Sequence, residues 1–147
     1  MRTPLPLEDV VTEEALAIWA AHFSATLQPG DVVCLYGDLG AGKTSCVRAC
    51  LAAMTGQNID VPSPTFTLCQ TYDTPKGEVH HYDLYRIKSV EEIIELGLIE
   101  HMSSVITFIE WPQLVERLIE AHLPTSTYRI TLTHHTPLTR LLSIQGK

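Results

Sequence analysis

The segment Gly37-Asp38-Leu39-Gly40-Ala41-Gly42-Lys43-Thr44 has residue types and spacing suited to chemistry. It satisfies Gly-x-x-x-x-Gly-Lys-[Ser/Thr] in full. A backbone that wraps an anion with its N–H groups needs glycines, because side chains block the close approach. A helix opening directly after the loop adds unpaired N–H groups and a positive dipole end. In this pattern Lys43 reaches the β- and γ-phosphates of a nucleotide, and the Thr44 hydroxyl ligates Mg²⁺. Residues Gly37, Asp38, Leu39, Gly40, Ala41, Gly42, Lys43, Thr44 and the following Ser45 are therefore candidate nucleotide contacts, with Lys43 expected at the site surface. The context is the required one. An apolar run, Asp31 to Tyr36, leads into the loop, and an amphipathic helix leaves it.

A phosphate loop of this kind needs an acid near the metal, commonly at the end of a neighbouring buried strand. Glu110 fits, following the apolar run Val105-Ile106-Thr107-Phe108-Ile109 directly; the bland alternative is an exposed carboxylate at a strand end. Trp111 beside it is a candidate nucleotide contact, although core packing is the better reading of the residue alone. Asp83, in His80-His81-Tyr82-Asp83-Leu84-Tyr85-Arg86, is the second candidate acid. A carboxylate in an aromatic-rich strand is costly to bury without a partner, so it is either exposed or functional. Strand alternation puts His81, Asp83 and Tyr85 on one face and His80, Tyr82, Leu84 and Arg86 on the other. Adjacent histidines pointing to opposite faces argue against a zinc site there. Thr65, in Ser63-Pro64-Thr65-Phe66, lies where a P-loop GTPase senses the γ-phosphate and its metal. A plain Ser/Pro turn fits that segment equally well.

The elements that must position these residues can be read in outline. Thr12 caps a helix over about 13–27, with Leu16, Trp19, Ala20, Phe23 and Leu27 as its apolar stripe. Pro29-Gly30 ends it, and the strand Asp31–Tyr36 follows. Helix 43–54 turns Cys46, Val47, Cys50, Leu51 and Met54 inward, with Gly56 just beyond. Pro62-Ser63-Pro64 is an extended loop, since each proline disfavours helix at the preceding residue. Strands at Phe66–Tyr72 and Val79–Tyr85 are joined by a turn at Thr74-Pro75-Lys76-Gly77. A capping box at Ser89-Val90-Glu91-Glu92 starts a short helix stopped by Gly97. Trp111-Pro112 opens a helix carrying Leu114, Val115, Leu118 and Ile119. A hairpin of Tyr128–Thr133 and Leu138–Gln145 completes the chain. The expected fold is α/β: one P-loop NTPase-like domain over residues 1–147, three-layered, with a mixed central sheet.

Composition narrows the function classes. A net charge of −7, with only 10 Lys and Arg residues scattered along the chain, argues against a dedicated nucleic-acid binder. Any role with nucleic acid would run through a partner protein. No apolar run reaches the roughly 18–20 residues of a membrane span. The stretch Met1-Arg2-Thr3-Pro4-Leu5-Pro6 has prolines where a signal peptide is apolar, which implies a cytoplasmic protein. Cys34, Cys46, Cys50 and Cys69 form no Cys-x-x-Cys pair and read as buried free thiols rather than zinc ligands or disulfides.

Taken together and in order, the phosphate loop, Ser63-Pro64-Thr65-Phe66, Asp83-Leu84-Tyr85-Arg86 and Ile109-Glu110-Trp111-Pro112 resemble the TsaE family, formerly called YjeE. The resemblance runs from about residue 12 to about residue 112, and the segment after Pro112 adds no signature. It implies a small ATPase of bacterial tRNA threonylcarbamoyladenosine synthesis. Such an ATPase works with the partner proteins TsaB and TsaD and meets tRNA only indirectly. TsaD performs the transfer onto adenosine, and the ATPase resets or drives the complex between turnovers. Carried over by motif, Lys43 binds phosphates, Thr44 and Glu110 hold Mg²⁺, Thr65 belongs to a switch-like loop, and Asp83 orients the attacking water. ATP and Mg²⁺ are the implied ligands. This chain departs from the family pattern at Ser45, where the hydroxyl is retained, and at Leu16, where a threonine is common.

Rival readings are weaker. A small P-loop kinase usually closes an arginine-bearing lid, yet Arg117, Arg129 and Arg140 lie unclustered after Glu110. A GTP switch would carry Asn-Lys-x-Asp to read guanine, and this chain has none. An assembly subunit with structural ATP would bind nucleotide without turnover.

Overall fold

A computed structural model describes residues 8–62, 68–122 and 127–146. Its elements run β1 (Glu8–Val11), α1 (Glu13–Thr26), β2 (Val32–Tyr36), α2 (Lys43–Thr55), β3 (Cys69–Thr74) and β4 (Gly77–Asp83). Then come α3 (Val90–Glu95), α4 (Leu98–His101), β5 (Ile106–Glu110), a 3-10 turn (Pro112–Leu114), α5 (Glu116–His122), β6 (Thr127–Thr136) and β7 (Thr139–Gly146). The strands form one sheet in the order β1-β7-β6-β2-β5-β4-β3. Its centre, β6-β2-β5-β4, is parallel, while β1, β7 and β3 pair antiparallel at the flanks. The mixed α/β sheet expected from sequence is present.

Alternation along the central strands builds two cores. Val33, Leu35, Ile106 and Phe108 face α1 and α2, where they meet Trp19, Phe23, Cys46, Val47, Cys50 and Leu51. Val32, Cys34, Tyr82 and Ile109 face the other way, against Ile93 of α3, Leu98 of α4 and Ile119 of α5. Side chains buried on both faces explain why β2 and β5 read as continuous apolar runs. Trp19 stacks on Phe23 at 4.9 Å, and Phe23 meets Tyr128 edge-on at 5.0 Å, which ties α1 to β6.

Local signals act as expected at several ends. Thr12 caps α1, accepting from the Ala15 N–H at 3.1 Å. Ser89 caps α3 through the Glu92 N–H, and Gly97 takes the left-handed conformation with φ 77°. Cys34, Cys46, Cys50 and Cys69 are free thiols, Cys69 alone being partly exposed. No described helix is long and apolar enough to cross a membrane.

Elsewhere the structure corrects the outline. β1 was not expected: Glu8–Val11 pairs with β7, its Val11 buried and its other residues exposed. The chain past Gly97 turns into a second short helix, α4. Trp111 does not open a helix; it is left-handed, and Pro112–Leu114 makes a 3-10 turn before α5 begins at Glu116. β4 ends at Asp83, not Tyr85, because Asp83 Oδ1 accepts the Tyr85 N–H at 3.0 Å in an Asx-type turn. The expected start of the preceding strand at Phe66 lies outside the described residues, and the described part begins at Cys69.

Candidate functional site

β2, β5 and β4 run parallel, so their carboxyl ends lie at one edge of the sheet, where ligands bind in open α/β sheets. β2 delivers the glycine loop, β5 delivers Glu110 and β4 delivers Asp83. Gly37 leaves β2 with φ 146°, and a Cβ there would stand 2.4 Å from the Leu132 carbonyl oxygen of β6. That position admits only glycine. Gly42 (φ 104°) is the N-cap of α2, supplies no side-chain acceptor, and faces open space where a Cβ would stand. The first turn of α2 also carries no acid, so its N–H groups and dipole can receive an anion.

Lys43 is only 5% exposed, not the surface residue expected from sequence. Its Nζ donates to the Gly37 and Asp38 carbonyls, the latter at 3.1 Å. It also sits 4.0 Å from the centroid of the Trp111 ring. Burial pulls the ammonium below the ordinary lysine range, against the opposing charges of Glu110, Asp83 and Asp38.

Glu110 is 3% exposed and meets Thr44, whose hydroxyl lies 2.8 Å from Oε2 and 3.0 Å from Oε1. His81, fully buried, brings Nε2 to 2.6 Å from Glu110 Oε2. Asp83 is the register partner of Glu110 and is also buried. The neighbouring histidines do diverge, since His80 turns instead to Glu78 at 2.8 Å.

Trp111 holds φ 57° and ψ 59°, an outlying conformation for a bulky residue. The strain aims its ring across the loop, over Lys43 and against Tyr85 at 4.8 Å. Trp111 is therefore a wall of the site and not core packing. Together these groups line a cavity of about 510 Å³ that includes Gly40, Gly42, Lys43, Thr44, Ser45, Asp83, Glu110 and Trp111. Leu39 borders it, while Ala41 is buried beneath the loop and Asp38 supplies a carbonyl to Lys43. Thr65 lies outside the described residues.

Some site residues were not singled out from sequence. Tyr85 lines the cavity on the Asp83 side, as alternation placed it, and the Asx turn after Asp83 breaks the alternation so that Arg86 lines it too. His81 shares the Asp83 face, a signal that was available but pointed to no partner until β5 was placed. The donor set suits a hard cation beside phosphates: a hydroxyl and carboxylate oxygens, with a lysine and a helix N-terminus close by. The volumes left open before Gly40 and Gly42 leave room for an anion.

Comparison with known proteins bears on the fold and the family. A family model described as "Threonylcarbamoyl adenosine biosynthesis protein TsaE" matches residues 10–142. The chain is 46% identical, over 121 residues, to the tRNA threonylcarbamoyladenosine biosynthesis protein TsaE of Rickettsia bellii, covering 82% of this chain and 81% of that one. It is 36% identical over 110 residues to the protein of the same name from Aquifex aeolicus, covering 73% and 78% of the two chains. The crystal structure of Bacillus subtilis YdiB matches the fold with a TM-score of 0.71 at 28% identity, across 95% of this chain and 84% of that one. A P-loop NTPase-like fold, a glycine loop facing a strand-end glutamate, and a match spanning nearly the whole length identify the chain as a member of the TsaE family.

Proposed function

We propose that this chain is a Mg²⁺-dependent ATPase that supports tRNA threonylcarbamoyladenosine synthesis together with TsaB and TsaD. The observation that carries the reading is the pairing of Thr44 with Glu110, at 2.8 and 3.0 Å, beside Lys43 at the edge of an open cavity. Family membership supplies the pathway.

In this reading Lys43 leaves the Gly37 and Asp38 carbonyls to meet the β- and γ-phosphates, and the N–H groups opening α2 hold the remaining oxygens. Thr44 and Glu110 would hold Mg²⁺, which when bound neutralises phosphate charge as it develops. Asp83 orients the attacking water, its carboxylate already fixed by the Tyr85 N–H. Trp111 and Tyr85 wall the site, and Thr65 is assigned to the loop that senses the γ-phosphate. Thr65 and Asp83, with Lys43, are the groups assigned to turnover. The net charge of −7 favours contact with tRNA through partners and not directly.

Among the described residues Arg86 is the one arginine lining the cavity, and it follows the Asp83 turn closely. A partner-supplied or partner-ordered arginine is worth about 10³ to 10⁵ in rate. Phosphate release from ATP should therefore be slow for the chain alone and rise sharply with TsaB and TsaD. Full-speed turnover by the isolated chain, or none in the assembled mixture, overturns the proposal.

A further inference from the structure

His81 lies outside the phosphate loop, yet it touches the glutamate that faces it. Its ring is fully buried on β4, with Nε2 2.6 Å from Glu110 Oε2. Its other ring nitrogen, Nδ1, is buried and has no hydrogen-bond partner among the described residues. An ionised carboxylate only accepts, so Nε2 carries the proton in this contact.

Glu110 is in turn held from the α2 side by Thr44, which reaches both carboxylate oxygens. Among the described residues, Oε2 accepts from His81 and from Thr44, while Oε1 meets Thr44 alone. Oε1 therefore keeps the greater acceptor capacity, and Glu110 lines the cavity.

We propose that His81 is a positioning residue that clamps Glu110 Oε2 through Nε2–H, so that Oε1 is presented to a divalent cation beside Thr44. In many metal sites a carboxylate orients a ligating histidine. Here the roles are reversed: a buried histidine orients the carboxylate. The inference rests on the reading of Glu110 as a metal-side ligand.

The test is ATP binding by titration, with Mg²⁺ and with EDTA, for the wild type, His81→Phe, His81→Gln and Glu110→Gln, each checked by circular dichroism. Phe fills the space without a donor, and the Gln amide places an N–H near the Nε2 position. Loss of such an outer partner weakens metal affinity by about 10- to 100-fold. His81→Phe should raise the Mg²⁺ needed for tight ATP binding by that factor and leave ATP affinity in EDTA unchanged. His81→Gln should recover most of the loss. If His81→Phe does not fold, His81→Asn, too short to reach Glu110, takes its place with the same expectation. In the metal-free protein, nitrogen NMR should show a proton on His81 Nε2.

Unchanged Mg²⁺ dependence in His81→Phe, equal losses with Mg²⁺ and with EDTA, or an Nε2 that carries no proton would each overturn the inference. Glu110→Gln separates the two levels. If it loses Mg²⁺ dependence while His81→Phe keeps it, only the positioning role falls. If Glu110→Gln also keeps it, the metal-side reading of Glu110 falls with it.

Discussion

Asp83 and Glu110 are register partners on adjacent parallel strands, so their carboxylates leave the sheet on the same face at its carboxyl end. Their surroundings differ. Glu110 is held by Thr44 and His81, whereas Asp83 accepts a backbone N–H from the turn that follows it.

That difference predicts different kinetic signatures. A metal ligand contributes in the ground state, and a water-orienting group contributes mainly in the transition state. Glu110→Gln should weaken Mg²⁺–ATP binding. Asp83→Asn should bind ATP nearly normally but hydrolyse it about 10² to 10⁴ times more slowly. Affinity with Mg²⁺, followed by single-turnover hydrolysis with TsaB and TsaD present, measures both. Lost affinity in Asp83→Asn with normal affinity in Glu110→Gln would exchange the roles.

The loop glycines should fail in distinguishable ways. A methyl group at Gly37 would strike the Leu132 carbonyl oxygen at 2.4 Å, whereas at Gly42 it would enter open space. Gly37→Ala should therefore lower the melting temperature strongly. Gly42→Ala carries only the left-handed backbone strain of about 1–2 kcal/mol, yet should still lose ATP binding because its methyl occupies the anion's place. Thermal melts and ATP titrations of both variants check this, and normal ATP affinity in Gly42→Ala would count against the assigned cradle.

Lys76, in the β3–β4 turn, donates to the carbonyls of Ser24, Ala25 and Leu27 at 2.8, 2.9 and 2.7 Å. It closes the carboxyl end of α1, which has no basic residue in its own last turn. Lys76→Met should cost about 1.5 kcal/mol, the low end for charged hydrogen bonds at a half-exposed site. That corresponds to a fall in Tm of about 3 to 6 °C. An unchanged Tm would show that solvent replaces the lysine without loss.

What sequence made legible were features whose cause is local. The glycine loop, the Thr12 and Ser89 caps, and the strand ends at Glu110 and near Asp83 follow from spacing and pattern within a few residues. The remainder depends on neighbours far along the chain. His81 is an ordinary strand histidine until β5 places Glu110 beside it, 29 positions away. Trp111 looks apolar enough for the core, but its left-handed backbone, set just before Pro112, turns the ring over Lys43. β1 has little apolar character, and it exists because β7 offers an edge to pair with. The burial of Lys43 likewise depends in part on the distant Trp111 ring, which covers it beside two carbonyls of its own loop.

The central claim is that the cavity between the glycine loop and Glu110 is a Mg²⁺–ATP site. Calorimetric titration of Mg²⁺–ATP into the wild-type chain and Lys43→Ala tests it most directly, with circular dichroism confirming that both are folded. The account predicts saturable binding at one site in the wild type and affinity lower by about 100-fold, or about 2.8 kcal/mol, in Lys43→Ala. Equal ATP affinity in two folded proteins would contradict it.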